Sequence, residues 1–149
     1  MRVRTATGAD GTALVEGNQA MARETEGVEL DPQTLRAGVE AVFQDPHKGR
    51  YYVAERDGAV VGQLLVTWEW SDWRNRWVWW IQSVYVWPAF RQQGVYRSLY
   101  RHVDAEARLA GAAGIRLYVE VDNVRAQAVY RRLGMDGEHY RLFEAMVEG

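Results

Sequence analysis

The stretch from Trp77 to Ala110, WVWWIQSVYVWPAFRQQGVYRSLYRHVDAEARLA, constrains the fold more than any other. Trp77 to Val86 is rich in aromatic and β-branched residues and predicts a strand. Trp87-Pro88 ends it, because proline has no N–H to give a ladder. Arg91-Gln92-Gln93-Gly94 makes a turn, and from Val95 the apolar residues Val95, Leu99, Val103 and Ala110 recur at helical spacing. A strand therefore feeds a tight glycine-bearing turn that opens a helix. The head of a helix offers unused N–H groups and the positive end of a dipole, which together suit an anion.

Bulk properties bound the rest. A chain of 149 residues that is 48% apolar predicts one domain, 1–149, with a single filled core. A formal charge of −2 argues against a nucleic-acid partner. No cysteine is present, which excludes disulfides and thiolate chemistry. His47, His102 and His139 are scattered, and no metal-ligand spacing appears, so no metal is expected. MRVRTATGAD lacks the apolar core of a signal peptide, and no apolar run reaches the ~18 residues of a membrane span. A cytoplasmic protein without a membrane partner is expected. All seven tryptophans fall between residues 68 and 87. They read as strands buried on both faces or a subunit interface of a homodimer, and otherwise as an aromatic wall beside an amine acceptor.

Taken in order, Arg2 to Ala6 alternates as a first strand. Thr7 with Asp10 reads as a helix cap; the helix runs to about Arg23, loosened by Gly11 and Gly17, and stops at Gly27. Leu30-Asp31-Pro32 opens a second helix that Asp45-Pro46 closes. Tyr51–Arg56 and Ala59–Trp70 form a hairpin about Asp57-Gly58, with Gly62 as a bulge site. After the long helix, Ile115–Val121 predicts a buried strand. Asn123 opens a last helix that Gly134 caps, and Tyr140–Val147 predicts a final strand. The order implies a mixed, mostly antiparallel sheet with helices on both faces.

Two motifs carry a resemblance. Arg91-Gln92-Gln93-Gly94-Val95-Tyr96 resembles the (Gln/Arg)-x-x-Gly-x-(Gly/Ala) signature of the GNAT superfamily, the Gcn5-related N-acetyltransferases, with Tyr96 where that pattern has a small residue. About 30 residues on, Asn123, Ala126, Tyr130, Gly134 and Met135 match the family's Asn-x-x-Ala-x-x-x-Tyr-x-x-x-Gly-(Phe/Met). The resemblance implies an α+β GNAT fold of six to seven strands whose central strands splay apart. It implies acetyl-CoA as cofactor, its pyrophosphate on backbone amides of Arg91, Gln92, Gln93, Gly94, Val95, Tyr96 and Arg97. The pantetheine arm would meet the backbone of Val84, Tyr85 and Val86 like an added strand, and Asn123. Tyr130 would stand near the sulfur as general acid.

The implied reaction is transfer of an acetyl group to a primary amine, of a small molecule first, by direct attack in a ternary complex. A protein N-terminus or lysine as acceptor, or a non-catalytic acyl-CoA module, are the alternatives. The amine must be neutral when it attacks. Glu24, Glu26, Glu69 and Asp72 are the candidate bases, with Trp80 standing where some family members place a glutamate. Water-mediated proton removal by Glu69 or by the Glu24/Glu26 pair is expected.

Overall fold

The sheet has five strands, in the order β1 (Arg2–Thr5), β2 (Arg50–Arg56), β3 (Ala59–Ser71), β4 (Arg76–Val86) and β5 (Gly114–Leu117). The first three pairings are antiparallel and β4–β5 is parallel. That last pairing needs a crossover, which helix α3 (Val95–Leu109) supplies. The computed structural model describes residues 1–148 and resolves into two compact units, Met1–Tyr118 and the chain from Val119 onward.

In the first unit the period-2 pattern sends alternate residues to two cores. On one face Tyr52, Ala54, Leu64, Val66, Trp79 and Ile81 pack with Val95, Leu99 and Val103 of α3. On the other, Tyr51 and Val53 pack with Leu14 of α1 (Gly11–Glu26) and Val39 of α2 (Pro32–Gln44). Helices thus cover both faces, as expected. The α2 start is capped as its sequence implies: the Asp31 carboxylate accepts from the Thr34 N–H at 2.9 Å, and Pro32 follows. Thr7 and Asp10 form their capping box around a 3₁₀ turn, Gly8–Asp10, that leads into α1. Asp57 and Gly58 both have positive φ, 52° and 79°, as a two-residue hairpin requires.

Three expectations are corrected. Gly17 does not loosen α1: it is buried, and a Cβ there would lie 2.2 Å from the Gln63 side-chain oxygen, so the glycine admits Gln63 beneath the helix. The strand expected at Ile115–Val121 spans only Gly114–Leu117. The strand expected at Tyr140–Val147 is not formed, so the sheet has five strands rather than six or seven. A strand exists only where a neighbour completes its ladder, and no strand occurs among the described residues from Val119 onward.

Two bulges shape the sheet. Ala54 pairs with Gly62 but Glu55 with Val60, leaving Val61 extra. Leu65 pairs with Ser83 but Val66 with Ile81, leaving Gln82 extra in β4. The second bulge reverses the alternation: before it Trp79 and Ile81 face α3, and after it Val84 and Val86 do.

In the second unit, α4 (Val124–Arg132) starts with the Asn123 side chain accepting from the Ala126 N–H at 3.0 Å. It ends in a Schellman turn: Gly134 donates to Arg131 and Met135 to Tyr130, with Gly134 at φ 89°.

Candidate active site

Parallel pairing of β4 with β5 runs from Val78↔Gly114 to Ile81↔Leu117 and ends there. Beyond the Gln82 bulge, β4 continues its ladder with β3. The Trp87 N–H donates to Val61 at 3.0 Å, which fixes the parity of the ladder. Tyr85, two residues earlier, also turns its backbone toward β3, while Val84 and Val86 turn theirs away from it. The parallel ladder therefore stops at residue 81, and the backbone groups that turn away from β3 beyond it belong to Val84 and Val86. The Val86 carbonyl accepts from the Arg91 Nε at 2.9 Å, tying the turn to the end of the strand.

The turn brings a second set of backbone groups forward. Gln92 and Gly94 both have positive φ, 63° and 78°. A Cβ at Gly94 would meet nothing within 4 Å, so conformation rather than space calls for glycine there. The Arg91 N–H donates back to Pro88 at 3.3 Å, and the Ser98 N–H to the Gly94 carbonyl at 3.0 Å. The first turn of a helix has no intrahelical carbonyl for its N–H groups, and here that turn opens at Val95. Gly62 sets how close this helix head comes to the sheet. A Cβ at Gly62 would lie 2.6 Å from Val95 Cγ1 and 3.3 Å from Leu99 Cδ1. The half-buried Tyr96 side chain runs beside Tyr100, their ring centroids 6.3 Å apart.

Two side-chain clusters flank this backbone. In the first, Glu24 of α1 accepts from the Tyr85 hydroxyl at 2.9 Å and from Arg91 at 2.7 Å. The Arg91 guanidinium also lies over the Tyr85 ring. Burial, then the Glu24 carboxylate, push the Tyr85 phenol up, so it stays a donor. Arg91 is thus engaged by protein groups at three points. Sequence reading missed this cluster, because a contact between residues 24 and 91 has no local signal.

The second cluster lies on one face of the sheet where the splay begins. Register places Thr67 opposite Trp80, Glu69 opposite Val78 and Arg116 beside Trp80. Arg116 donates to Glu69 at 2.9 Å, Gln82 donates to Thr67 at 2.7 Å, and Trp80 stacks on Tyr118 with centroids 4.6 Å apart. Glu69, Trp80, Gln82, Arg116 and Tyr118 make an amphipathic, partly exposed surface. Glu26 sits exposed at the last position of α1, and Asp72 caps the hairpin turn through the Trp73 N–H, so neither shares that face.

The tryptophans divide among roles. Trp79 is buried against Trp68 in an edge-on pair; Trp80 belongs to the face just described; Trp70 and Trp77 pair half-exposed near the hairpin end, and Trp73 is 93% exposed at its tip. In the second unit Asn123 spends its side-chain oxygen on the α4 cap, leaving its amide nitrogen for other use. Burial raises the half-buried Tyr130 phenol, which keeps it protonated at neutral pH. No helix among the described residues is long and apolar enough to cross a membrane.

The end of β4 beyond its β5 pairing, the bulge before it and the head of α3 belong to one strand-turn-helix of an α+β scaffold. The chain belongs to the acetyltransferase (GNAT) family, whose model matches residues 16–135. It is 32% identical over 118 residues to the aminoalkylphosphonate N-acetyltransferase of Salmonella typhimurium, covering 79% of this chain and 76% of that one. It is 34% identical over 93 residues to the streptothricin acetyltransferase of Streptomyces lavendulae, covering 61% of this chain and 46% of that protein. A crystal structure of a possible acetyltransferase from Clostridium difficile 630 superposes with a TM-score of 0.91 at 38% identity, over 99% of this chain and 98% of that one. The protein is an enzyme of this acetyltransferase class.

Proposed function

We propose that the protein is an acetyl-CoA-dependent N-acetyltransferase acting on the primary amine of a small molecule. The observation that carries this reading is that the β4 backbone at Val84 and Val86, which turns away from β3, lies in the same strand-turn-helix as the head of α3. The first suits the amides of a pantetheine arm and the second a diphosphate, so the residues present fit the cofactor. Acetyl-CoA supplies the activated thioester whose acetyl carbon the amine attacks.

The chain's own residues do the rest. The amides from Gln92 to Arg97 bind anionic oxygens, each such charged bond contributing ~1.5–3 kcal/mol. Arg91, held by Glu24 and Val86, orients the turn rather than acting as a free cation. An alkyl amine with a pKa near 10.4 is neutral in roughly 1 of 2,500 molecules at pH 7, a cost of about 4.6 kcal/mol. We assign Glu69 to the removal of that proton through water, since it shares a face with Trp80 and Gln82 at the splay. Tyr130 holds the proton for the departing sulfur. The acceptor class is supported by two relatives whose names specify small-molecule acetylation.

The test is release of free thiol from acetyl-CoA with a panel of aminoalkylphosphonates, amino acids, polyamines, aminoglycosides, arylamines and peptides. Release with small amines is expected; release with peptides alone would move the acceptor to protein, and binding without release would remove catalysis. A calorimetric titration of Gly94→Asp with coenzyme A should show affinity at least ~10-fold weaker, because a carboxylate joins the anion site and the left-handed backbone is strained. Undiminished affinity would refute the assignment of the turn.

A further inference from the structure

Gln92 holds an uncommon backbone conformation. Three residues other than glycine have positive φ among the described residues: Asp57 and Asn75 at 52°, and Gln92 at 63°. Aspartate and asparagine adopt this region readily in turns; glutamine does not. A residue held there persists only where its surroundings overdetermine it, and such positions gather where ligands are gripped.

The residues on either side of Gln92 supply the restraint, and distant parts of the chain hold both. Arg91, before it, donates through Nε to the Val86 carbonyl at 2.9 Å and through Nη2 to Glu24 of α1 at 2.7 Å. Glu24 in turn accepts from the Tyr85 hydroxyl at 2.9 Å. Gln93, after it, accepts from the Arg56 Nη1 at 2.6 Å and donates to the Ala89 carbonyl at 3.2 Å. Arg56 ends β2, and its guanidinium lies over the ring of Phe90, which packs against the core under α3. All of these residues lie within Met1–Tyr118. The turn is therefore pinned from α1 and from the β2–β3 hairpin, with the left-handed residue between the two pins.

A left-handed residue in a turn lets neighbouring N–H groups converge on a concavity that accepts anionic oxygens. A right-handed Gln92 would point the Gln93 N–H elsewhere. We propose that Glu24 and Arg56 are positioning residues for cofactor binding, acting through Arg91 and Gln93 to keep Gln92 left-handed and so preset the turn for a diphosphate. This role depends on the acetyl-CoA reading above, and it brings in two residues that lie outside both sequence motifs. Presetting the turn raises affinity because the cost of ordering it is met before the ligand arrives.

Calorimetric titration of the full chain with coenzyme A, run as a cycle of variants, tests this role. Glu24→Ala and Arg56→Ala should each weaken affinity ~10-fold, the size of the bias against a left-handed residue that bears a Cβ. Gln92→Gly removes that bias, since glycine is left-handed as readily as right-handed, so in its background the same two substitutions should cost less than ~3-fold. Losses of equal size in both backgrounds would overturn the positioning role, because neither a direct ligand nor a general support of the fold is rescued by glycine at that place. Arg91→Lys covers the case in which an alanine variant does not fold. Lysine keeps the charge but lacks the planar fork that reaches Val86 and Glu24 together, so the same ~10-fold loss is expected. Undiminished affinity there would replace the pin by a bare cation and overturn the role. Equal binding by the wild type, Glu24→Ala and Arg56→Ala would end this role and leave the acetyl-CoA reading standing, whereas no binding by the wild type would end both.

Discussion

Gly94 and Gly134 illustrate how single positions carry this protein. Each has positive φ, and at each a Cβ would meet open space, so both are required by backbone conformation and neither by crowding. Asp10 is a different case. It accepts from Arg4 at 2.8 and 3.0 Å and from the Thr7 N–H at 2.8 Å, tying β1 to the start of α1. The Arg4 guanidinium, and then the Thr7 amide, hold its carboxyl below the ordinary 3.8. Its contribution is therefore full above that ordinary value and is lost as the pH falls through the folded value. Asp10→Asn should cost about 2 kcal/mol in urea unfolding at pH 7, with the gap to wild type closing as the solution is acidified below pH 4. A gap that stays constant would assign the loss to packing rather than charge. Tyr130→Phe should lower turnover about 10-fold or more while coenzyme A affinity by calorimetry stays within twofold, since the role proposed for the phenol is on the leaving sulfur and not in binding. Unchanged turnover would take the phenol out of the reaction.

Among elements, the strand-turn-helix from Arg76 to Leu109 was the most legible, because each part announces itself locally: β-branched and aromatic residues, then Pro88, then Gly94, then the Val95–Leu99–Val103 stripe. The hairpin at Asp57-Gly58 and the caps at Asp31 and Asn123 were legible for the same reason. What the sequence hid was contact between distant segments. The Gln82 bulge, the Glu24–Tyr85–Arg91 cluster, the Arg116–Glu69 pair and the seating of Gln63 under Gly17 all depend on register and packing. The tail failed oppositely: its strand pattern is real, but a pattern does not provide a neighbour. Gly62 joins the local and the distant. Read alone it marked a bulge, and the bulge is next to it, at Val61. Its further role is to let Val95 of α3 approach the sheet. Gly62→Ala should cost about 1–3 kcal/mol by overpacking, because a β-branched side chain has little room to give. It should also weaken coenzyme A binding, since the displaced helix head carries the amides. A variant destabilised but binding normally would separate the packing of α3 from the proposed grip on the cofactor.

For the whole molecule, binding and stability are one quantity, and that allows the two halves of the proposed grip to be told apart. A ligand at 100 times its dissociation constant adds ~2.7 kcal/mol to the folded state. At roughly 3 °C per kcal/mol for a chain of this size, coenzyme A should raise Tm by about 8 °C. Pantetheine offers the arm that Val84 and Val86 would pair with but no diphosphate for the head of α3. If both contacts exist, pantetheine at the same concentration should give a small shift, and inorganic pyrophosphate another. Their effects should sum to less than that of coenzyme A, because one molecule joining both sites brings the second contact at high effective concentration. Gly94→Asp should abolish the pyrophosphate shift and spare that of pantetheine. A pantetheine shift lost equally in that variant would mean that the turn and the open strand do not act as separate contacts. Binding would then rest on a single contact rather than on two backbone surfaces joined through Arg91 and the Val86 carbonyl.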